Sequence, residues 1–288
     1  MLLRVVITGG NRGFGAALAR ELSERGHCVV VLSRRPPLGF GGAPTGTHAA
    51  TSSGYVQCDV ASYASVWRAG RTARDMLTTV DVWINNAAAY CDPAAGDLGL
   101  RDLENTENDW PQRAQACCDV NLMGVVWGTR VAALVMRDQD RGGLVFNVRG
   151  SGSDGGPRPG HALYGATKAA AALFAECAAL ECAQNPENPT AAVAVHSLSP
   201  GLMDTALFRD HAAAVPSPLA RSLLRQLCLD PVEVAVEAAA QIEAAVEAHH
   251  KPRVKGASAK CQSGRRLNCY AAPLLRRLLR RLLRRPLP

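Results

Sequence analysis

The sequence contains no uninterrupted run of roughly 18 to 20 apolar residues, which is the length that crosses a bilayer. It also lacks a recognisable signal or transit peptide, because a strand-like run follows Met1 almost at once. None of its 10 cysteines forms a Cys-x-x-Cys pair, which argues against a zinc site and favours reduced thiols. We therefore expect neither a membrane-spanning protein nor a disulfide scaffold, and no metal in the functional site.

Acidic residues are absent from Lys251 to Pro288, a segment that contains 12 lysines and arginines. The net charge of +7 therefore originates in this tail, and residues 1–250 carry a charge of −5. A basic charge confined to a tail favours a local electrostatic contact and argues against a nucleic-acid-binding domain.

The 288 residues are enough for one large domain with a well-buried core. Strand-like apolar runs alternate with helical segments, and this alternation predicts an α/β fold with a doubly wound parallel sheet, the Rossmann fold. We expect residues 1–250 to form the main domain and residues 251–288 to add a last strand and the basic tail. Residues 36–54 are predicted to form a surface loop. The predicted strands are Leu2–Thr8, His27–Ser33, Tyr55–Cys58, Val80–Ile84, Gly143–Val148, Thr190–Ser197 and Arg266–Ala272. The predicted helices are Ala16–Arg25, Ala61–Thr79, one within Asp102–Met136, Ala162–Gln184, and further helices between residues 206 and 250.

A glycine-rich turn follows the first predicted strand and opens the first predicted helix. In this position glycines let the backbone approach a pyrophosphate, which the helix N-terminus attracts. The sequence therefore predicts a dinucleotide site here, although a plain tight turn is the alternative. Its residues are Thr8, Gly9, Asn11, Arg12, Gly13, Phe14 and Gly15.

No acid stands at the end of the second strand, where one would bind a ribose 2′-hydroxyl. Arg34 and Arg35 follow Ser33 there instead, and Arg12 lies in the glycine-rich turn. An arginine in this place accommodates a 2′-phosphate, so the pattern favours NADPH over NADH. Solvated surface arginines are the alternative interpretation.

Other candidate residues stand at the ends of later strands. Asp59 and Val60 are placed to hold an adenine edge, and Asn86, Ala87 and Ala88 are candidates to bind the cofactor. The side-chain amides of Asn85 and Asn86 either hold the strand edge and line the cofactor crevice or only satisfy backbone groups. Pro200 and Gly201 form a turn after which Thr205 is placed to bond a carboxamide. Inside a predicted helix, Asn121 costs helix propensity and indicates a kink or a functional role.

Tyr164 and Lys168 are four residues apart and therefore lie on one face of a predicted helix. A lysine ammonium near a tyrosine lowers the tyrosine pKa toward the working range of a proton donor. Ser151 and Ser153 precede the pair, and either serine is a candidate to polarise a carbonyl group. By itself the spacing also fits an ordinary half-exposed helix face.

The segment of residues 273–286 alternates pairs of leucines with pairs of arginines. At about 100° per residue, the leucines cover one side of a helix and the arginines the other. This pattern predicts a basic amphipathic helix that lies on an anionic membrane surface. A contact with a partner helix and a disordered basic tail are the alternatives.

Taken together, the motifs resemble the short-chain dehydrogenase/reductase family over nearly the whole chain. Ala88 departs from the glycine that is usual in that family. The shared motifs are Thr8-Gly9-x-x-x-Gly13-x-Gly15, Asn85-Asn86-Ala87, Asn121, Tyr164-x-x-x-Lys168 and Pro200-Gly201-x-x-x-Thr205.

Finer details are similar to the plant and algal chlorophyll(ide) b reductase branch. The shorter loop of residues 36–54 departs from that branch. The similar segments are Asp81–Asn86, Val145–Asn147, Gly150–Ser153, Tyr164–Lys168, Val195–Gly201 and Arg253–Gly256.

This resemblance implies NADPH-dependent reduction of the 7-formyl group of chlorophyll b or chlorophyllide b to 7-hydroxymethyl. It also implies a chloroplast setting at the thylakoid surface and a homo- or hetero-oligomer with a related reductase. Within the family pattern, Tyr164 is the acid, Lys168 its partner and ribose ligand, and Asn121 the holder of a relay water. Ser151 has the usual family spacing to the tyrosine, whereas Ser153 matches the branch better. A reductase for another carbonyl, such as a pterin or retinoid, and a non-catalytic cofactor-binding subunit remain alternatives.

Overall fold

The computed structural model describes residues 1–37, 53–90, 110–158, 160–182, 193–213, 228–250 and 266–269. Over these residues the chain alternates between strands and helices, as the sequence predicts. The predicted loop of residues 36–54 falls largely outside the described residues, and so does the tail segment of residues 273–286.

Seven strands lie in the described part of the chain, and all of them pair in parallel. Their β-branched runs are buried on both faces, which suits a parallel sheet that is covered by helices on both sides. The strands are β1 (Arg4–Thr8), β2 (Cys28–Ser33), β3 (Gly54–Gln57), β4 (Val82–Asn85), β5 (Gly143–Val148), β6 (Val193–Ser199) and β7 (Arg266–Asn268).

The spatial order of the strands is β3-β2-β1-β4-β5-β6-β7. The chain therefore runs outward in one direction from β1 and then returns to add β4 on the other side of β1. Such a reversal opens a crevice at the carboxyl ends of β1 and β4, and ligands of doubly wound sheets bind in that crevice. The predicted fold class is confirmed.

The helices cover both faces of the sheet. The helices Gly13–Glu24 and Pro231–His250 pack on one face, through side chains such as Leu18 and Ile242, and Tyr63–Leu77 and Gly124–Met136 pack on the other, through side chains such as Ala73 and Val131. The helices are α1 (Gly13–Glu24), α2 (Tyr63–Leu77), α3 (Trp110–Cys118), α4 (Gly124–Met136), α5 (Ala162–Cys182), α6 (Ala206–Ala213) and α7 (Pro231–His250).

A π-helical turn, Asp119–Met123, joins α3 to α4 and contains Asn121. The regular α-helix is therefore interrupted at the internal asparagine. By length and composition, the continuous helical stretch Trp110–Met136 would suffice to span a membrane, but 44% of its most apolar window is buried inside the fold. Because α4 contributes Val131, Ala132 and Met136 to the sheet's core, we interpret this stretch as a core helix.

Predicted boundaries differ from the observed ones mostly by one to three residues. The second helix is predicted from Ala61 but begins at Tyr63, because Ser62 caps it by accepting a hydrogen bond from Ser65 N at 3.3 Å. The sixth strand is predicted to end at Ser197 but continues to Ser199, where its pairing with β7 ends.

The cysteines mostly match the expected reduced state. Seven of those in the described residues are free thiols. Cys117, at the end of α3, is disulfide-bonded and departs from the expectation. No group of three or more metal-ligating side chains occurs among the described residues.

Candidate active site

A cleft of about 740 Å³ opens at the carboxyl ends of the strands and collects most of the predicted site residues. The strand ends come together there because the parallel strands all run toward the same edge of the sheet. From the predictions, the cleft is lined by Gly9, Asn11, Arg12, Gly13, Phe14, Gly15, Ser33, Arg34, Arg35, Asp59, Val60, Asn86, Ala87, Ala88, Ser151, Tyr164, Lys168, Pro200, Gly201 and Thr205. Thr8, Asn121 and Ser153 are not among the lining residues.

The glycine-rich turn forms one end of the cleft. Gly9 has φ +68°, and a Cβ added to it would lie 2.7 Å from Ala87 Cα, so only glycine fits between the turn and the segment after β4. Arg12 is the N-cap of α1 and makes no side-chain cap. The first backbone N–H groups of the helix therefore remain available to an anion.

Three arginines stand near this end of the cleft. Arg12, Arg34 and Arg35 are exposed, and none of them makes an ion pair with another described residue. The Ser33 hydroxyl donates to the Arg35 carbonyl oxygen at 2.7 Å and so fixes the backbone on which the arginines sit. The arrangement gives this end a positive charge, which suits phosphate groups.

Thr8 supports the cleft from below without lining it. Its hydroxyl accepts hydrogen bonds from the backbone N–H groups of Asn86 and Ala87, at 3.0 and 3.2 Å. The Asn86 side chain returns two bonds, to the carbonyl oxygens of Thr8 and Gly9, both at 3.0 Å. Asn86 therefore serves both purposes that the sequence suggests, since it satisfies backbone groups and lines the cleft.

Asn85 belongs to the core of the protein and not to the cleft. It accepts a bond from Trp83 Nε1 at 2.9 Å and donates to Thr129 Oγ1 and to Asn147 Oδ1 at 3.1 and 2.8 Å. This buried network ties β4 to α4 and β5, and so holds the strand ends that carry the site.

Asp59 and Val60 line the cleft on the β3 side. The Asp59 carboxylate accepts the backbone N–H of Ala61 at 3.1 Å, while its own N–H donates to Ser65 Oγ at 3.0 Å. These two bonds hold the backbone of the turn at the edge of the cleft.

Tyr164 and Lys168 lie on the first turns of α5 and line the same cleft as the glycine-rich turn. Both are buried, with 6% and 4% of their surface exposed. The Lys168 Nζ atom lies 5.8 Å from the centroid of the Tyr164 ring. Burial lowers the pKa of Lys168 from 10.5 to about 8, because water no longer solvates the ammonium.

The backbone of Gly150 lies directly against this pair. A Cβ added at Gly150 would lie 2.7 Å from the Tyr164 hydroxyl oxygen and 3.2 Å from Lys168 Cε. A side chain at position 150 would therefore clash with the Tyr164 hydroxyl, and the loop after β5 forms one wall of the space around that hydroxyl.

The two candidate serines occupy different places in this loop. Ser151 lines the cleft with Tyr164. Ser153 has 9% of its surface exposed, and its hydroxyl accepts the Gly150 N–H at 3.0 Å. Between them, Gly152 has φ +92°, and an added Cβ would lie 2.5 Å from Gly165 Cα on α5. This tight turn separates the two serines, of which only Ser151 lines the cleft.

Asn121 is fully buried behind the cleft. Its side-chain oxygen accepts the Ala89 N–H at 2.8 Å, and its side-chain nitrogen donates to the Ala89 carbonyl oxygen at 2.8 Å and to Thr167 Oγ1 at 3.2 Å. Asn121 thus connects the segment after β4 with α5, the helix that carries Tyr164 and Lys168.

The segment after β6 closes the cleft on its remaining side. Gly201 has φ +79° and turns the chain, and Thr205 Oγ1 accepts the Phe208 N–H at 3.3 Å at the start of α6. Leu202, Met203 and Phe208 give this wall an apolar surface.

Sequence reasoning missed several lining residues, above all Tyr90, His161 and Arg149. Their positions hold a weak signal, because Tyr90 follows the Asn85–Ala88 motif by two residues and His161 precedes Tyr164 by three. The sequence does not show which way the side chain of a loop residue points, so these three residues could not be assigned to the cleft from the sequence alone.

The model for the short chain dehydrogenase family matches residues 4–215. The chain belongs to this family. It is therefore an oxidoreductase of the type that binds a nicotinamide cofactor.

Among named relatives, this short-chain dehydrogenase is 34% identical over 211 residues to the chlorophyll(ide) b reductase NOL, chloroplastic, of Oryza sativa subsp. japonica. That match covers 72% of this chain and 58% of the relative. A second relative from the same plant, the probable chlorophyll(ide) b reductase NYC1, chloroplastic, is 34% identical over 70% of this chain and 40% of the relative. The chain therefore spans less than two thirds of either plant protein.

A solved structure supports the fold. The ligand-free aldohexose dehydrogenase of Thermoplasma acidophilum superposes with a TM-score of 0.65 and 19% identity, covering 100% of this chain and 97% of that one.

Proposed function

We propose that this short-chain dehydrogenase is an NADPH-dependent carbonyl reductase that converts the 7-formyl group of chlorophyll b or chlorophyllide b to 7-hydroxymethyl. The observation that carries the proposal is that one cleft is lined both by the glycine-rich turn, which suits a phosphate group, and by the buried Tyr164–Lys168 pair. The identity to two plant chlorophyll(ide) b reductases supports the choice of substrate.

The cleft residues fit an NADPH molecule. The uncapped N-terminus of α1 suits a pyrophosphate, and the positive φ of Gly9 and Gly13 keeps the backbone bare where it would approach. Arg12, Arg34 and Arg35 would hold the 2′-phosphate, Asp59 and Val60 the adenine, and Thr205 the carboxamide of the nicotinamide. When bound, NADPH supplies a hydride for the carbonyl carbon.

The proton comes from Tyr164, which donates to the carbonyl oxygen as negative charge develops there. Protonated Lys168 favours the phenolate and so makes the tyrosine a stronger acid near neutral pH. Ser151 lines the cleft beside Tyr164 and donates a hydrogen bond to the same oxygen. Gly150 has no side chain that would displace the Tyr164 hydroxyl, and Asn121 bonds to Thr167 on α5, the helix that carries Tyr164.

The proposal extends to location and partners. Two relatives are named chloroplastic, which supports a plastid setting. The basic amphipathic segment of residues 273–286 would lie on an anionic membrane such as the thylakoid, and an oligomer with a related reductase would form there.

The test is to incubate the purified protein with NADPH and chlorophyllide b and to follow the loss of the formyl-dependent absorption. We expect turnover with NADPH, much less with NADH, and none for Tyr164→Phe. Binding of NADPH without any reduction of pigment would refute the assigned substrate. A parallel assay with pterin and retinoid carbonyls would then separate a reductase of another substrate from a non-catalytic subunit.

A further inference from the structure

Tyr90 lies in the cleft beside the catalytic candidate Tyr164, and their ring centroids are 5.4 Å apart. The Tyr90 hydroxyl donates to the carbonyl oxygen of Gly160 at 2.8 Å. This bond joins the segment that follows β4 to the segment that precedes α5. The ring of Tyr90 is therefore held at its outer end.

His161 packs against the same ring from another side. Its ring centroid lies 5.8 Å from that of Tyr90 and 6.0 Å from that of Tyr164, with interplanar angles of 70° and 75°. His161 is 7% exposed, and its carbonyl oxygen accepts the Gly165 N–H at 2.7 Å at the start of α5. The backbone of His161 is thus fixed by the helix, and its ring packs against the ring of Tyr90.

Tyr90 itself is only half-buried, so it presents ring surface to the cleft. The lining of the cleft also includes Leu202, Met203 and Phe208, which are apolar. A flat conjugated molecule bound in this cleft against Tyr90 would gain ring-to-ring contact in addition to apolar burial. A saturated molecule of the same size would gain the burial alone.

We infer that Tyr90, positioned by Gly160 and His161, is the residue that selects flat, conjugated carbonyl compounds over saturated ones. The inference rests on the proposed carbonyl reductase function and deepens it, since it assigns the substrate class to a named side chain. Tyr90 contacts the substrate in this scheme, and His161 is a positioning residue.

The test compares two bicyclic aldehydes with the same carbon skeleton, 2-naphthaldehyde and its fully saturated decalin counterpart. Reduction is measured as kcat/KM for the wild type, Tyr90→Leu and the matched control Tyr90→Phe. We expect Tyr90→Leu to lower the preference for naphthaldehyde by about two- to tenfold, the value of one aromatic contact. Tyr90→Phe loses the bond to Gly160 but retains the ring and its packing against His161, so it should keep the preference within about twofold of the wild type.

His161→Leu should reduce the same preference, and His161→Phe should restore it, because a ring again supports Tyr90. Equal losses for both aldehydes in Tyr90→Leu would show a merely structural residue and overturn the inference. An unchanged preference in Tyr90→Leu would overturn it as well.

A second readout separates this inference from the proposed function. Calorimetric titration gives the Kd of each aldehyde without any turnover. Should the wild type reduce neither aldehyde, the carbonyl reductase function fails for this class, while the ratio of the two Kd values still decides the role of Tyr90. A ratio that falls in Tyr90→Leu supports the inference, and a ratio that does not change contradicts it.

Discussion

The side chain of Asn121 bonds to both peptide groups of Ala89, accepting from its N–H and donating to its carbonyl oxygen, each at 2.8 Å. Asn121 sits in a π-helical turn, where the ladder of helix bonds is interrupted, and so its side chain can reach out to another segment. Because the side-chain amide of Asn121 is already bonded to Ala89, a relay water held by Asn121 would have to contact the backbone peptide group of Asn121 instead. The segment fixed in this way leads directly to Tyr90.

The first prediction follows from this pairing. Asn121→Ala should lower the free energy of unfolding by about 2 kcal/mol, since the peptide groups of Ala89 lose buried partners. It should also lower kcat/KM, because the cleft wall at Tyr90 loosens. Thermal or urea denaturation and steady-state kinetics measure the two effects. Gln115→Ala, which removes an exposed bond to Asp119 on the same helical stretch, is the control and should change stability by less than about 0.5 kcal/mol.

The second prediction concerns the acid. Tyr164→Phe removes only the hydroxyl that would protonate the carbonyl oxygen, so kcat should fall by about 10² to 10⁴. The ring keeps its packing against Tyr90 and His161, and NADPH affinity should therefore change by no more than about threefold. Single-turnover kinetics and a fluorescence titration of NADPH provide the two numbers. A variant that retains wild-type kcat would rule out the acid role.

The third prediction concerns pH. Burial lowers the pKa of Lys168 to about 8, so the ammonium is present below that pH and is lost as the pH rises through it. Loss of the charge raises the tyrosine pKa and weakens the acid, and the rate of carbonyl reduction should therefore fall above about pH 8. A pH profile of kcat/KM checks this. Lys168→Met has no ammonium to lose, and its residual activity should lack that limb; a limb that persists in the variant would assign it to another group.

Much of the fold could be predicted from the sequence. Buried parallel strands require runs of β-branched residues, and the helices between them require apolar residues at helical spacing. Val29, Val30 and Val31 in β2 are one such run, and all three are buried. The site was accessible for the same reason, since strand ends in a parallel sheet converge. The roles of the two serines could not be predicted from the sequence, because they depend on loop geometry. The positive φ of Gly152 separates Ser151 from Ser153, and the spacing of residues along the chain does not reveal that angle.

The fourth prediction concerns the choice of cofactor. Arg34 is exposed at the end of β2 and lines the cleft, and it makes no ion pair with a described residue. Arg34→Ala should weaken NADPH binding by about tenfold, as expected for one charge-assisted phosphate contact, and leave NADH binding nearly unchanged. Calorimetric titration with both cofactors tests this. Arg20, an exposed arginine on α1 that is not part of the cleft, provides the control substitution to alanine. Equal losses for the two cofactors in Arg34→Ala would contradict a 2′-phosphate contact.

The last prediction separates the two serines by what each hydroxyl does. Ser151 lines the cleft together with Tyr164, so Ser151→Ala should remove a hydrogen bond to the developing oxyanion and lower kcat by about 10² to 10³. The Ser153 hydroxyl instead accepts the Gly150 N–H within the loop. Its loss should lower stability by about 1 kcal/mol and kcat by much less than the loss of Ser151.

The test is to measure both kcat and the melting temperature for Ser151→Ala and for Ser153→Ala. Ser151→Ala should have a lower kcat and an unchanged melting temperature, whereas Ser153→Ala should have a lower melting temperature and a much smaller loss of kcat. Because Gly150 contacts the Tyr164 hydroxyl, a moderate rate loss in Ser153→Ala would come from displacement of Gly150, and it should then be accompanied by the lower melting temperature. A large rate loss in Ser153→Ala at an unchanged melting temperature would instead make Ser153 the polarising serine.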